Sequence, residues 1–342
     1  MEDKKKLSDV LKNMKKEYGT DVMIDCNDEN FKKIEMVSTG CYSFDHVFGG
    51  GLPVGRIIDV YGEYSSGKST IAMFLCSILQ KQGKKVAWID AEYAWASEYA
   101  EKLGVNTKDL LLFQPESAEQ VLDITQKLTE SGEVSLICID STAAMVPEVE
   151  VEGNIYDAQV ALQARILSKG LRMITGIASR NKTTILFISQ LRSKIGFTGY
   201  GEKNTTSGGR ALAFYSSVRL EVAKISSYKG KNGEVLGNRL KITAKKNKVS
   251  IPFRSCEIDL LFGSGINIHG DIFDVALANG IIFKEGNTFS YIKERLGVGR
   301  EASVEFLRVN EELYNQIKEQ VMLIGKDVDK KEIKEKKEKK IT

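Results

Sequence analysis

The sequence predicts an α/β protein with a mostly parallel central sheet, on three observations. Short, almost wholly apolar runs recur along the chain: IIDVY, VAWID (86–90), LLLFQ (110–114), SLICID (135–140) and TTILFISQ (183–190). Such runs are strands covered on both faces. Helical patterns lie between them, as parallel crossovers require. The third observation is a strand-loop-helix passage, YGEYSSGKST at 61–70, at the carboxyl end of IIDVY. Open sheets of this class bind their ligands at such ends.

The elements follow in order along 342 residues, 42% hydrophobic and 28% charged, enough for one large domain plus smaller pieces. MEDKKKLSDVLKNMKKEYG reads as an amphipathic helix and lacks the apolar centre of a signal peptide. From about residue 217, β-rich runs SVRLEVAKI, NRLKITAKKN and SCEIDLLFG extend the sheet, with GKNGEVLG as a hairpin turn. A small α/β module spans 270–324. In the lysine-rich tail, 325–342, apolar residues are too few for a fold and disorder is expected. No apolar run is long enough to span a bilayer. The five cysteines form no C-x-x-C pair and read as reduced core thiols, so the expected location is cytoplasmic. A net charge of +3 argues neither for nor against a polyanionic partner.

Gly62, Gly67, Lys68 and Ser69 fit G-x-x-x-x-G-K-[ST]. Its glycines let backbone amides curl around a phosphate chain, the lysine neutralises charge and the hydroxyl reaches magnesium. The other strand ends supply complementary groups. SLICIDS delivers Asp140, whose carboxylate can hold the magnesium shell; VAWID leads to Glu92, which can orient an attacking water. TTILFISQ ends in Gln190, whose amide can sense a γ-phosphate. Beyond it, LRSKIGFTGYGEKNTTSGGRALAFY mixes glycines and aromatics with Arg192, Lys194, Lys203 and Arg210, a composition suited to a single-stranded nucleic-acid backbone or to a solvated loop. Helical spacing in LQARILSKGLRMITGIASR puts Arg165, Ser168 and Arg172 on one face, which fits consecutive phosphates or plain solvent.

Taken together, the motifs VSTGCYSFDHVFGGGLPVGRIIDVYGEYSSGKST, WIDAEY, LICIDSTAAMVPEVEVEG, FISQLRSKIG, TTSGGRALAFYSSVRL, KNKVSIPF and LFGSGIN resemble the bacterial RecA recombinases, from about Leu7 to Met322. The resemblance implies a RecA-type P-loop ATPase core (34–269), a small C-terminal α/β domain and, in 1–33, a polymerisation helix with its linker that docks on a neighbouring subunit. The implied activity is homologous recombination, with roles in DNA repair, DNA damage and the SOS response. The protein would form filaments on single-stranded DNA with ATP and Mg2+ bound between subunits, pair that strand with a homologous duplex and exchange strands. A LexA-like repressor is a further partner of this kind of filament.

Position by position, the resemblance assigns Gly62, Glu63, Ser65, Ser66, Gly67, Lys68, Ser69, Thr70, Tyr99, Asp140 and Gly263 to the nucleotide, with Ser69 and Asp140 on the metal. Glu92 matches the catalytic glutamate, Gln190 the γ-phosphate sensor, Tyr99 the adenine-stacking tyrosine, and Lys246 and Lys248 a pair that reaches a neighbour's ATP. Two DNA-binding loops fall at about 153–161 and 191–206. DNA positions are Val160, Arg165, Ser168, Arg172, Arg192, Lys194, Ile195, Gly196, Gly208, Gly209 and Arg210, with Val160 and Ile195 as wedges between base triplets. Three features depart from the family pattern. Ala96 stands where relatives commonly carry an aspartate, the second loop is slightly longer, and residues 326–342 carry eight lysines against five acidic groups where relatives often end in an acidic tail. A hexameric helicase and a regulatory ATPase share the P-loop and sheet, but should lack TTSGGRALAF and KNKVSIPF.

Overall fold

The computed structural model describes residues 7–19, 34–152, 162–193, 204–206, 210–229 and 233–338. Residues 1–36 and 37–342 form separate compact units. The first carries helix α1 (Leu7–Tyr18), none of whose residues is buried.

The second unit is built on a ten-stranded sheet. Its strands are β1 (Ile57–Gly62), β2 (Lys85–Asp90), β3 (Leu111–Phe113), β4 (Val134–Asp140), β5 (Thr184–Ser193), β6 (Asn204–Thr206), β7 (Val218–Lys229), β8 (Val235–Asn247), β9 (Ser255–Leu261) and β10 (Gly265–Ile266). The order is β10-β9-β8-β7-β1-β5-β4-β2-β3, with β6 beside β5. From β7 to β3 neighbouring strands are parallel, whereas β7 to β10 form an antiparallel extension.

The apolar runs explain the layering. Alternate residues of a strand point to opposite faces. Ile58, Val60, Val86, Trp88, Leu136, Cys138, Leu186 and Ile188 pack on one face against helix α2 (Lys68–Lys81). Their chain neighbours Ile57, Ala87, Ile89, Ile137, Ile139, Ile185 and Phe187 meet helices α4 (Ala118–Glu130) and α5 (Leu162–Arg180) on the other. Helices α3 (Ser97–Lys102) and α6 (Ala211–Tyr215) lie at the strand ends.

The C-terminal module has its own core around Phe273, Phe289, Leu307 and Ile317. It combines α7 (Ile268–Ala278), the hairpin strands β11 (Phe283–Glu285), β12 (Thr288–Tyr291) and β13 (Glu294–Val298), α8 (Arg300–Val309) and α9 (Glu311–Glu338). Buried Asp271 of α7 accepts from the Ser43 backbone N–H at 3.1 Å and the Cys41 thiol at 3.3 Å. Arg300 bridges Asp259 of β9 and Asp274 of α7, each at 2.7 Å. These bonds tie the module to the ATPase-like core.

Helix α9 runs on to Glu338 through a stretch rich in lysine and glutamate, both good helix formers. Of the predicted hairpin turn, 230–232 lie outside the described residues.

Candidate nucleotide site and nucleic-acid face

Strand β1 ends at Gly62 and α2 begins at Lys68, so the predicted phosphate loop sits between them. Gly62 lies between Gln190 of β5 and Val222 of β7, and a Cβ there would fall 2.2 Å from the Val222 carbonyl oxygen. Gly67 adopts a left-handed φ of +89°, where a side chain would be strained, and presents the free N–H groups of the first α2 turn to the loop. Lys68 is buried; its Nζ donates to the Glu63 carbonyl oxygen at 2.7 Å and to Ser66 Oγ at 3.5 Å. Burial lowers the Lys68 pKa, while Asp140 and Glu92 oppose that shift.

Three carboxylates converge here. Asp140 and Asp90 are in register on β4 and β2, and the Glu92 backbone N–H donates to the Asp140 carbonyl. Burial, then the charges of Glu92 and Asp90, push the Asp140 carboxyl up to about 6, against a hydrogen bond from Ser69 and the charge of Lys68. The largely buried Asp140 carboxylate, with the Ser69 hydroxyl hydrogen-bonded to it, fits a magnesium ion that takes few protein ligands and keeps waters and phosphates. Asp90 also accepts from the backbone of Ala94 (3.2 Å) and Trp95 (3.0 Å) and from Gln114 Nε2 (3.0 Å), which shapes the loop bearing Glu92. The Glu92 Oε1 accepts from the Ser141 hydroxyl and, at 2.9 Å, from Gln190 Nε2.

On the outer side, Thr70 Oγ1 and the Tyr99 hydroxyl are 3.0 Å apart. Tyr99 lines a cleft with Ser65, Ser66, Asn238, Leu260 and Phe262. Asn238, with its Oδ1 buried and unpartnered, and Phe262 went unnoticed in the sequence because they come from β8 and the β9 end, far along the chain. Gly263 follows Phe262 with φ +80°.

Lys246 pairs in register with Arg219 on β7, which pairs with Asp59 on β1. That places it three residues back along β1 from Gly62 and two strands away, toward the amino edge of the sheet. Its Nζ donates to the carbonyls of Ala213 (2.6 Å) and Phe214 (3.0 Å) at the end of α6. The Lys248 backbone N–H donates to Ser217, near the same edge. The Lys246 ammonium is thus held at the end of α6.

Arg165 and Arg172 are exposed along α5, with Ser168 half-buried between them, and Arg210 is exposed where α6 begins. Arg172 Nε donates to the Tyr215 hydroxyl at 3.4 Å, linking the two helices. Arg192 lies on β5. Val160, Lys194, Ile195, Gly196, Gly208 and Gly209 lie outside the described residues.

With this geometry in place, two family descriptions match nearly the whole chain: the RecA N-terminal domain over residues 5–267 and the RecA C-terminal domain over 270–323. The chain belongs to the RecA family. It is 44% identical to Protein RecA of Campylobacter jejuni subsp. doylei over 92% of each chain. The same identity holds to Protein RecA of Bacillus subtilis, over 91% of this chain and 89% of that one. The crystal structure of the RadB recombinase matches with a TM-score of 0.51 and 22% identity, over 68% of this chain and 98% of that chain, and supports the fold.

As a RecA-family member the chain is a recombination protein whose function is homologous DNA pairing and strand exchange. Family membership also implies a DNA-dependent ATPase that binds single- and double-stranded DNA and assembles into filaments. Among the described residues, no helix is long and apolar enough to cross a membrane.

Proposed function

We propose that this RecA-family chain couples strand exchange to hydrolysis of Mg2+-bound ATP through Lys68, Ser69, Asp140, Glu92 and Gln190. The supporting observation is their convergence: the phosphate loop, the Asp140 carboxylate and the Glu92–Gln190 pair stand at the carboxyl ends of adjacent parallel strands. Lys68 and the α2 amides hold the phosphates, and Tyr99 stacks on the base. Ser69 and Asp140 would hold magnesium, which supplies charge neutralisation for the leaving diphosphate. Glu92 takes a proton as water oxygen bonds to the γ-phosphorus, and the bond to the bridging oxygen breaks with its electron pair departing on ADP.

Lys246 and Lys248 act on a neighbouring subunit's nucleotide, which makes hydrolysis conditional on assembly. The place of Lys246, two strands from β1 with its ammonium at the end of α6, favours this reading. Arg165, Ser168, Arg172, Arg192, Lys194, Gly196 and Gly208–Arg210 carry single-stranded DNA along its backbone, with Val160 and Ile195 between bases. The resulting filament is the form a LexA-like repressor would meet. Electron microscopy with single-stranded DNA and a non-hydrolysable ATP analogue tests the reading: open helical filaments support it, and closed rings or DNA-indifferent particles overturn it.

A further inference from the structure

The proposed base holds one more relationship, and the inference rests on the reading of Glu92 as that base. Two donors converge on the same Glu92 oxygen, Oε1: the Ser141 hydroxyl and the Gln190 side-chain amide. The donors differ in freedom. Ser141 is completely buried, and the next residue is pinned to β5, Thr142 donating through its N–H to the Ile188 carbonyl at 2.9 Å and through Oγ1 to Ser189 Oγ at 3.2 Å. Gln190 is only half-buried and stands where β5 runs on toward the segment preceding β6.

We propose that Ser141 is a positioning residue that fixes the Glu92 carboxylate, and that Gln190 is a removable cap on the same oxygen. An oxygen that already accepts two hydrogen bonds has little lone-pair capacity left for a water proton. A γ-phosphate oxygen is a charged acceptor and competes well for the Gln190 amide. When the amide moves to the phosphate, Oε1 keeps its aim through Ser141 and gains a free acceptor site. Nucleotide sensing and base activation then become one event at one atom. Ser141 was not among the residues picked out in the sequence, because nothing in STAAM marks a serine that faces a carboxylate 49 positions earlier.

The test uses the full-length protein. DNA-stimulated ATPase kinetics are measured for Ser141→Ala, Glu92→Gln and the double variant, and the Gln190 side-chain amide is followed by NMR without nucleotide. The expected result is about a tenfold fall in kcat for Ser141→Ala with KM for ATP within about twofold, as for loss of part of one acid–base contribution. No further fall should appear in the Glu92→Gln background, and the Gln190 amide resonance should move in Glu92→Ala. Equal losses from Ser141→Ala in both backgrounds would overturn the positioning role while leaving Glu92 as base. An unmoved Gln190 resonance would overturn the cap, and that measurement stands even where Ser141→Ala fails to fold. Wild-type kcat in Glu92→Gln would overturn the base reading and this proposal with it.

Discussion

Gln190 on β5 donates its side-chain amide to the Glu92 carboxylate beyond β2 at 2.9 Å, although β4 lies between the two strands. The contact spans 98 positions of sequence and joins the proposed phosphate sensor to the proposed base. Its loss and its replacement should be separable from loss of binding.

Lys68→Ala should abolish nucleotide-dependent assembly, because phosphate charge then lies uncompensated in a half-closed site. Glu92→Gln should retain ATP affinity and filament formation while turnover drops by a factor of roughly 100 or more. Equilibrium binding of a fluorescent ATP analogue beside steady-state ATPase rates separates the two; matching affinity losses would contradict the role of Glu92.

Replacing Arg165, Arg172 or Arg210 singly with alanine should weaken binding to all single-stranded sequences alike. Each loss of a phosphate contact should flatten the log–log salt dependence by roughly 0.7. Fluorescence anisotropy across a salt series reads this, and an unchanged slope in all three variants removes the backbone assignment.

Burial first, then the positive charges of Lys248 and Arg219, lower the Lys246 pKa from its usual value to about 8. In the free subunit one lysine should therefore lose its proton as pH rises through about 8, seen in ε-13C-lysine spectra and absent in Lys246→Arg. An unfolded chain keeps that proton to higher pH, so this lysine's contribution to stability rises with pH above about 8 rather than falling. Lys248→Gln should move the midpoint upward by removing a like charge; a downward move would contradict the stated cause.

Mixing Lys68→Ala protein with Lys246→Ala/Lys248→Ala protein on single-stranded DNA should restore part of the ATPase activity that each lacks alone. One subunit lends intact lysines to a neighbour with an intact phosphate loop. Mixed filaments without recovered activity would confine the lysines to their own subunit.

Gly62→Ala should cost about 3 kcal/mol or prevent folding, since the new methyl meets a backbone carbonyl inside the sheet. Chemical denaturation measures it, and a change under about 1 kcal/mol would show that β1 and β7 can part without penalty.

What the sequence determined by itself was local. Apolar runs marked the strands, and the spacing of Gly62, Gly67, Lys68 and Ser69 marked the strand-loop-helix turn, because these depend on backbone conformation within a few residues. The run LLLFQ is the exception to burial on both faces, since β3 is the last strand of the sheet and leaves Leu111 and Leu112 exposed. Asp140, Glu92 and Gln190 were legible as the last polar groups after such runs, since parallel strands deliver their carboxyl ends to one edge. Only the tertiary structure decided who meets whom. The Arg219–Asp59 ion pair crosses 160 positions at 2.8 Å, the Ser141 and Gln190 donors share one carboxylate oxygen, and Asn238 and Phe262 complete the cleft beside Tyr99. Strand order creates these contacts, and a strand's apolar pattern encodes that it is buried without encoding which strand lies beside it.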